Sequence, residues 1–113
     1  MPEPLIVPTK PPIASQFEQD EDLADLIPMF IDELETRVQQ LRDAFETQDA
    51  QTLREVAHKV RGSAGGYGFP DLTDFAGQVE DALRSGAATT EIHEELGELL
   101  GLCQAAIQGR ADA

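Results

Sequence analysis

Residues 50–68, AQTLREVAHKVRGSAGGYG, combine a helical stripe of apolar side chains with an abrupt end in glycine. The apolar positions recur every three or four residues, which is the period of an amphipathic helix. They are Leu53, Val56, Ala57, Val60 and Ala64. Gly65, Gly66 and Gly68 favour the end of a helix, because glycine readily adopts the left-handed conformation found there. The pattern therefore predicts a helix over about residues 50–66.

The same period recurs on both sides of this helix. An earlier stripe runs over about residues 23–47 and contains Pro28. This proline predicts either a kink or a short helix stacked end to end on a longer one. After the glycines, a third stripe covers about residues 70–84, with Pro70 near its first turn, where proline is well tolerated.

A fourth stripe, over about residues 89–108, opens with Thr89 or Thr90 as its predicted N-cap. No segment alternates with the two-residue period of a strand. Four amphipathic helices joined by short loops predict an all-α fold, an antiparallel up-down four-helix bundle. We expect an extra extended or short helical segment at its N-terminus.

That N-terminal segment is rich in proline. Five of the seven prolines fall in the first twelve residues: Pro2, Pro4, Pro8, Pro11 and Pro12. Proline lacks an amide donor and restricts the residue before it, so the stretch should be extended or irregular. We divide the chain into a leader of residues 1–17 and a bundle domain of residues 18–113. The leader either lies against the bundle through its few apolar side chains or is disordered.

Charge and composition exclude several classes of function. The chain has 113 residues, enough for one domain, and its 22 acidic against 8 basic residues give a net charge of −14. Such a surface repels nucleic acid and anionic membranes, and no apolar run is long enough to span a bilayer. Cys103 is the only cysteine, which excludes an internal disulfide and suits a reducing compartment. We therefore expect a cytoplasmic monomer without cofactor, bound metal or nucleic acid.

His58 lies well away from the apolar stripe of the second helix. At about 100° per residue it lies roughly 140° from Leu53, so its ring should point outward. Gly62 and Gly65 share that face, and a glycine inside a helix costs about 1 kcal/mol relative to alanine. They leave a bare surface beside the ring, bordered by Arg54 and Arg61. From spacing alone, an ordinary glycine-rich helix end with solvated arginines remains an alternative.

The run of residues 58–68, HKVRGSAGGYG, resembles the signature of the histidine-phosphotransfer (HPt) family. That signature is His-x-hydrophobic-Lys-Gly-Ser/Ala-Ala, with a glycine ten residues after the histidine. The resemblance covers about residues 20–108 and includes the segments LIPMF at 26–30 and VEDAL at 79–83. It departs at Arg61, where the family usually has lysine. The positive charge is kept, but a planar guanidinium replaces a point charge.

The resemblance implies a role for each matching residue. His58 would accept a phosphoryl group from a receiver-domain aspartyl phosphate, or from a kinase, and transfer it to another receiver aspartate. The supporting residues would be Lys59, Arg61, Gly62, Ser63, Gly65 and Glu80. We also expect partner docking to use Arg54, Gly62 and Gly65, which form or border the bare surface beside the ring. The partners would be response-regulator receiver domains, a sensor histidine kinase, or both.

Such a carrier is not an enzyme in the strict sense. The sequence has no nucleotide-binding glycine loop and no kinase signature, so the metal and the catalytic aspartate would come from the partner. The main alternative is a helical interaction module that binds a receiver or regulator and carries no phosphate. A free-standing protein and a domain excised from a larger kinase both fit the sequence.

The position of Glu80 follows from the predicted hairpin. If the second and third helices are antiparallel about a turn near Phe69, residues 58 and 80 are equidistant from it and face each other. In the HPt family this position often carries Glu or Gln. We predict that Glu80 accepts a hydrogen bond from Nδ1–H of His58, which leaves Nε2 to attack. The alternative is one more solvated acid.

A di-iron bundle is another alternative, because Glu55 and His58 fit the pattern Glu-x-x-His. Such bundles need two of these motifs and two further glutamates, all pointing inward. This chain has one motif, and it lies off the apolar stripe, so we predict no metal site. We interpret His93, which also lies among acids, as a solvated residue in the first turn of the fourth helix.

Overall fold

The computed structural model describes residues 5–111, the last two by their backbone alone. Within this range the chain forms four α-helices, three short 3-10 turns and no strand. The helices are α1 (Ile27–Glu46), α2 (Ala50–Ala64), α3 (Pro70–Arg84) and α4 (His93–Ala111). The 3-10 turns are Ala24–Leu26, Gly65–Tyr67 and Thr89–Glu91.

The four helices form a bundle in which each packs on the next and α1 packs on α4. Their apolar stripes meet in one core, as the spacing predicts; its most deeply buried side chains include Leu41, Leu53, Leu72, Val79 and Leu99. The predicted fold class is therefore confirmed. Among the described side chains, Glu80 is the one charged group that is buried, at 2% exposure.

Pro28 marks a boundary of α1 rather than a kink within it. The 3-10 turn Ala24–Leu26 leads directly into α1, and Pro28 lies in the first turn of that helix. Its missing amide causes no loss there, because the first amides of a helix have no partner inside the helix. Of the two sequence expectations, the kink is wrong, and the short helix stacked on α1 is a single 3-10 turn.

The start of α4 also differs from the prediction. Thr89 and Thr90 lie in a separate 3-10 turn, and α4 begins at His93. The carboxylate of Glu91 accepts a hydrogen bond from the amide of Ala88 at 2.8 Å, so Glu91 caps this turn. Thr89 is buried rather than exposed at a helix end. The threonine cap predicted for α4 is therefore wrong.

The hairpin between α2 and α3 is what positions the candidate site. After the 3-10 turn Gly65–Tyr67, Gly68 adopts a φ of 89°, a left-handed conformation that favours glycine. The amide of Phe69 then donates to the carbonyl of Ala64 at 3.0 Å. The chain thereby reverses within a few residues, and α3 runs back along α2. Residues equidistant from this turn are brought face to face.

Residues 5–17, which we call the N-terminal strap, lie against the bundle, so the first of the two sequence expectations for the leader holds for them. The amide of Ile13 donates to the carbonyl of Ala105 at 3.0 Å, and Lys10 pairs with Glu98 at 2.7 Å. Pro2 and Pro4 lie outside the described residues. The predicted division at residue 17 stays a prediction.

The strap fits a row of glycines on α4. A Cβ atom added at any of the three would come within 3.0 Å of a strap carbonyl oxygen. The pairs are Gly97 with Ile6, Gly101 with Pro8, and Gly109 with Ile13. At its far end the strap meets the α2–α3 turn, where the amide of Gln16 donates to the carbonyl of Gly68 at 3.0 Å. The strap therefore braces the same turn that sets the register of α2 and α3.

Alanine substitution tests this fit. Gly101→Ala should lower the free energy of unfolding by about 1–3 kcal/mol, because its methyl group overlaps the strap. Gly62→Ala is the matched control: it is also inside a helix but has no atom within 4 Å of an added Cβ. It should raise the free energy of unfolding by about 0.5–1 kcal/mol through helix propensity. Urea denaturation measures both. Equal stabilisation by the two alanines would show that the strap does not seat on α4.

Candidate functional site

His58 lies on α2 with its side chain directed away from the core. The apolar stripe of this helix is buried, at Leu53, Val56, Ala57, Val60 and Ala64, as predicted. The His58 side chain is 67% exposed. An imidazole that the core does not hold needs some other contact to fix its orientation.

Glu80 on α3 provides that contact. Its Oε2 atom lies 2.8 Å from Nδ1 of His58, so the contact predicted from hairpin spacing is confirmed. An ionised carboxylate can only accept a hydrogen bond, so the proton of the neutral ring resides on Nδ1. Nε2 then carries the lone pair, on a side chain that is 67% exposed. The arrangement fixes the tautomer of His58 and holds its ring in one orientation.

Two arginines keep Glu80 ionised in its buried position. Nη1 of Arg61 donates to Oε1 at 3.1 Å, and Nη2 of Arg84 donates to Oε2 at 2.7 Å. Burial raises the pKa of Glu80, but the hydrogen bonds from Arg61 and His58, with the charges of His58 and Arg84, outweigh it. The net pKa lies below the ordinary 4.5. A buried charge is tolerated when donors satisfy it in this way.

Arg61 is held between two acids. Besides Glu80 it donates to Asp81 at 3.1 Å, and the hydrogen bond to Glu80, followed by the charge of Asp81, raises its pKa. Gly77 makes room for this arrangement, because an added Cβ would lie 3.1 Å from Nε of Arg61. Sequence reasoning did not identify Gly77 or Arg84. The spacing of Arg84, four residues after Glu80, was a usable signal.

The two glycines predicted for docking differ in their surroundings. Gly62 is exposed, and an added Cβ would meet no atom within 4 Å. Gly65 is exposed too, but its amide donates to Oγ1 of Thr73 at 2.8 Å, and an added Cβ would lie only 3.2 Å from that oxygen. Packing therefore explains Gly65 in part and leaves Gly62 unexplained.

The remaining predicted residues lie around His58 on α2. Ser63 donates from Oγ to the carbonyl of Lys59 at 2.9 Å, along its own helix. The side chains of Arg54 and Lys59 are exposed and form no hydrogen bond or ion pair within the described part of the chain. An open cleft of about 360 Å³ borders His58. Its lining residues are Arg54, Glu55, His58, Lys59, Glu80 and Arg84.

The remaining titratable residues singled out above have different surroundings. His93 begins α4, where its Nδ1 lies 3.1 Å from the carbonyl oxygen of Thr90, and it is half-buried rather than fully solvated. Glu55 accepts a hydrogen bond from Gln51 at 3.2 Å. Burial raises the pKa of Cys103 to about 12, so its thiol stays protonated at neutral pH. Across residues 5–111, no three His, Cys, Asp or Glu side chains are grouped as metal ligands.

The fold and the site together are those of a four-helix bundle with an exposed histidine on its second helix that contacts a buried carboxylate. The family model for the Hpt domain matches residues 25–110, and the chain therefore belongs to the Hpt domain family. This places it among the histidine-phosphotransfer modules of phosphorelay signalling.

Two curated relatives are the signal transduction histidine-protein kinases BarA of Escherichia coli (strain K12) and Shigella flexneri. Each is 31% identical to this chain over 80 residues, which is 70% of the chain but 9% of the relative. A solved structure of the HPT domain of a sensor hybrid histidine kinase from Shewanella has the same fold. Its TM-score is 0.76 at 22% identity, over 86% of this chain and 84% of that one.

No helix between residues 5 and 111 has the length and apolar character needed to cross a bilayer.

Acid should weaken the contribution of Glu80 to stability. Because folding lowers the pKa of this carboxyl, its ionised form stabilises the fold above about pH 4.5, and the effect is lost as the pH falls through the lower folded pKa. Wild type should exceed Glu80→Gln in free energy of unfolding by about 1–3 kcal/mol at pH 7. The gap should shrink below pH 4.5, since a protonated glutamic acid resembles glutamine.

Urea denaturation at pH 7 and at about pH 3.5 measures this difference. Asp74→Asn is the control, because Asp74 is an exposed acid on the same helix. Its effect should be small at both pH values. If the difference in free energy of unfolding between wild type and Glu80→Gln stayed constant with pH, Glu80 would not be an ionised carboxylate stabilised by its hydrogen-bond donors.

Proposed function

We propose that this chain is a phosphorelay carrier. His58 accepts a phosphoryl group from a receiver-domain aspartyl phosphate, or from a kinase, and transfers it to another receiver aspartate. The observation that carries the proposal is the His58 ring, whose Nδ1 lies 2.8 Å from a buried carboxylate while its side chain is 67% exposed. A structural histidine would have no need of an exposed, oriented nitrogen.

The transfer can be written with all bonds balanced. The Nε2 lone pair forms a bond to phosphorus while the phosphorus–oxygen bond of the aspartyl phosphate breaks, and the aspartate leaves as a carboxylate. The ring keeps its proton on Nδ1 and gains positive charge, which Glu80 stabilises. The reverse reaction on a second receiver returns the group to a carboxylate. Catalysis of such in-line transfer is mostly positioning and charge neutralisation.

This chain and the receiver contribute different groups to the transfer. This chain supplies the nucleophile and its orientation, and the receiver supplies the metal and the acceptor aspartate. The chain is thus a substrate and carrier rather than an enzyme in the strict sense. Its partners are response-regulator receiver domains, a sensor histidine kinase, or both. We place the exchange in the cytoplasm, with the carrier as a monomer that binds no nucleic acid.

The docking surface is centred on the bare part of α2. Gly62 lies one helical turn after His58 and leaves open space beside it. We extend this surface to two exposed apolar side chains at the start of α1: Met29 is 66% and Leu26 41% exposed. They lie at the end of the bundle where Phe30 stacks on Tyr67, with ring centroids 4.8 Å apart. Exposed apolar groups beside a bare helix face suit a transient protein contact.

The first test of the proposal is transfer of label. Incubation with a phosphorylated receiver should give an acid-labile, alkali-stable phosphoprotein in wild type and none in His58→Gln. The circular dichroism of His58→Gln should be unchanged, because the side chain is outside the core. His93→Gln is the matched control and should be labelled like wild type. Label on His58→Gln would refute the assignment, and docking without label on wild type would identify an interaction module.

A second test separates docking from chemistry. Gly62→Gln should slow transfer from a receiver at least about 10-fold, because a long side chain would stand in the interface. The same variant should react normally with phosphoramidate, a small phosphoryl donor that needs no docking surface. Gly62 has open space around it, so the substitution should not disturb the fold. Equal losses with both donors, or no loss with either, would remove Gly62 from the docking surface.

A further inference from the structure

The cations around His58 fall into two groups. Four of the eight basic residues of this acidic chain are close to it in sequence or contact, namely Arg54, Lys59, Arg61 and Arg84. Arg61 and Arg84 donate to Glu80. The side chains of Arg54 and Lys59, within the part of the chain that the structure describes, have no hydrogen-bond or ion-pair partner.

Arg61 is poorly placed to neutralise a phosphoryl group. It occupies the signature lysine position, three residues after His58. In this chain its guanidinium is committed to Glu80 and Asp81, each at 3.1 Å, and it does not line the cleft beside His58. Turning it toward the phosphoryl group would remove a donor from a carboxylate that is only 2% exposed. Losing a donor to a buried charge is costly, so this movement is disfavoured.

Arg54 is better placed. It lies one helical turn before His58 on α2, a spacing that brings side chains within about 5–6 Å at their Cβ atoms. Arg54 and Lys59 both line the open cleft, together with Arg84. Glu55 is the one opposing charge there apart from the neutralised Glu80. An anion in this cleft would meet more positive than negative charge.

We propose that this cleft is the phosphoryl-binding site of phosphorylated His58, with Arg54 as its main countercharge and Lys59 beside it. Arg61 is a positioning residue that acts through Glu80 and does not touch the phosphoryl group. The inference rests on the proposed function and assigns the neutralising role to a residue four before the histidine instead of three after it. A guanidinium suits this role, since its planar donors match phosphate oxygens.

Phosphorylation by phosphoramidate allows a test without any receiver. The Nε2 lone pair of His58 bonds to phosphorus, the phosphorus–nitrogen bond of phosphoramidate breaks, and ammonia leaves. The ³¹P chemical shift of the phosphohistidine, followed against pH, then reports the second ionisation of the phosphoryl group. A nearby cation favours the dianion, so Arg54→Gln should move this titration to higher pH, by about half a unit.

Matched variants give the comparison. Lys10→Gln removes one positive charge on the strap over α4, far from α2 in the bundle, and should leave the phosphoryl titration unchanged. Arg61→Gln should shift the titration less than Arg54→Gln does. It should instead alter the ¹⁵N shifts of the His58 ring through Glu80, and Arg61→Lys should restore them in part.

The possible outcomes distinguish a failure of this inference from a failure of the proposed function. A wild-type protein that takes up phosphate from neither phosphoramidate nor a phosphorylated receiver would overturn the proposed function and the inference together. A phosphorylated protein whose titration moves in Arg61→Gln and not in Arg54→Gln would overturn the inference alone. The reverse pattern, with Lys10→Gln like wild type, is the expected result.

Discussion

The structure depends on one buried carboxylate. Glu80 lies inside the bundle between α2 and α3, and it accepts hydrogen bonds from His58, Arg61 and Arg84. Without these donors its charge would destabilise the fold by several kcal/mol. With them it becomes a fixed anion that orients an exposed imidazole. Stability and chemistry are therefore coupled at this residue, because the groups that satisfy the buried charge are also those that define the site.

Glycines at several positions complement the hydrogen bonds around Glu80. Gly77 leaves room for Arg61 to lie over α3, whereas Gly62 leaves open space beside His58. On α4 a row of glycines admits the N-terminal strap, whose far end contacts the turn after α2. These glycines serve three different purposes: an internal contact, an external surface and a close approach of backbone. A glycine-rich sequence thus need not indicate flexibility.

Much of this could be predicted from the sequence, and the exceptions have physical reasons. Helical periodicity located all four helices, and hairpin symmetry predicted the contact between residues 58 and 80. The orientation of Arg61 could not be predicted, because it depends on Gly77 of another helix. The packing of the N-terminal strap on α4 was not predicted, although Gly97, Gly101 and Gly109 are spaced by multiples of four residues. Their partners are backbone carbonyls, which leave no pattern in a sequence.

Glu80 holds Nδ1 of His58, so we expect the phosphoryl group to be bonded to Nε2. Long-range ¹H–³¹P correlation spectra of the protein, phosphorylated by a receiver, identify the nitrogen bonded to phosphorus. We expect coupling to both carbon-bound ring protons of His58, the pattern of an Nε2 phosphoramidate. Phosphorus on Nδ1, or on any other residue, would contradict the account.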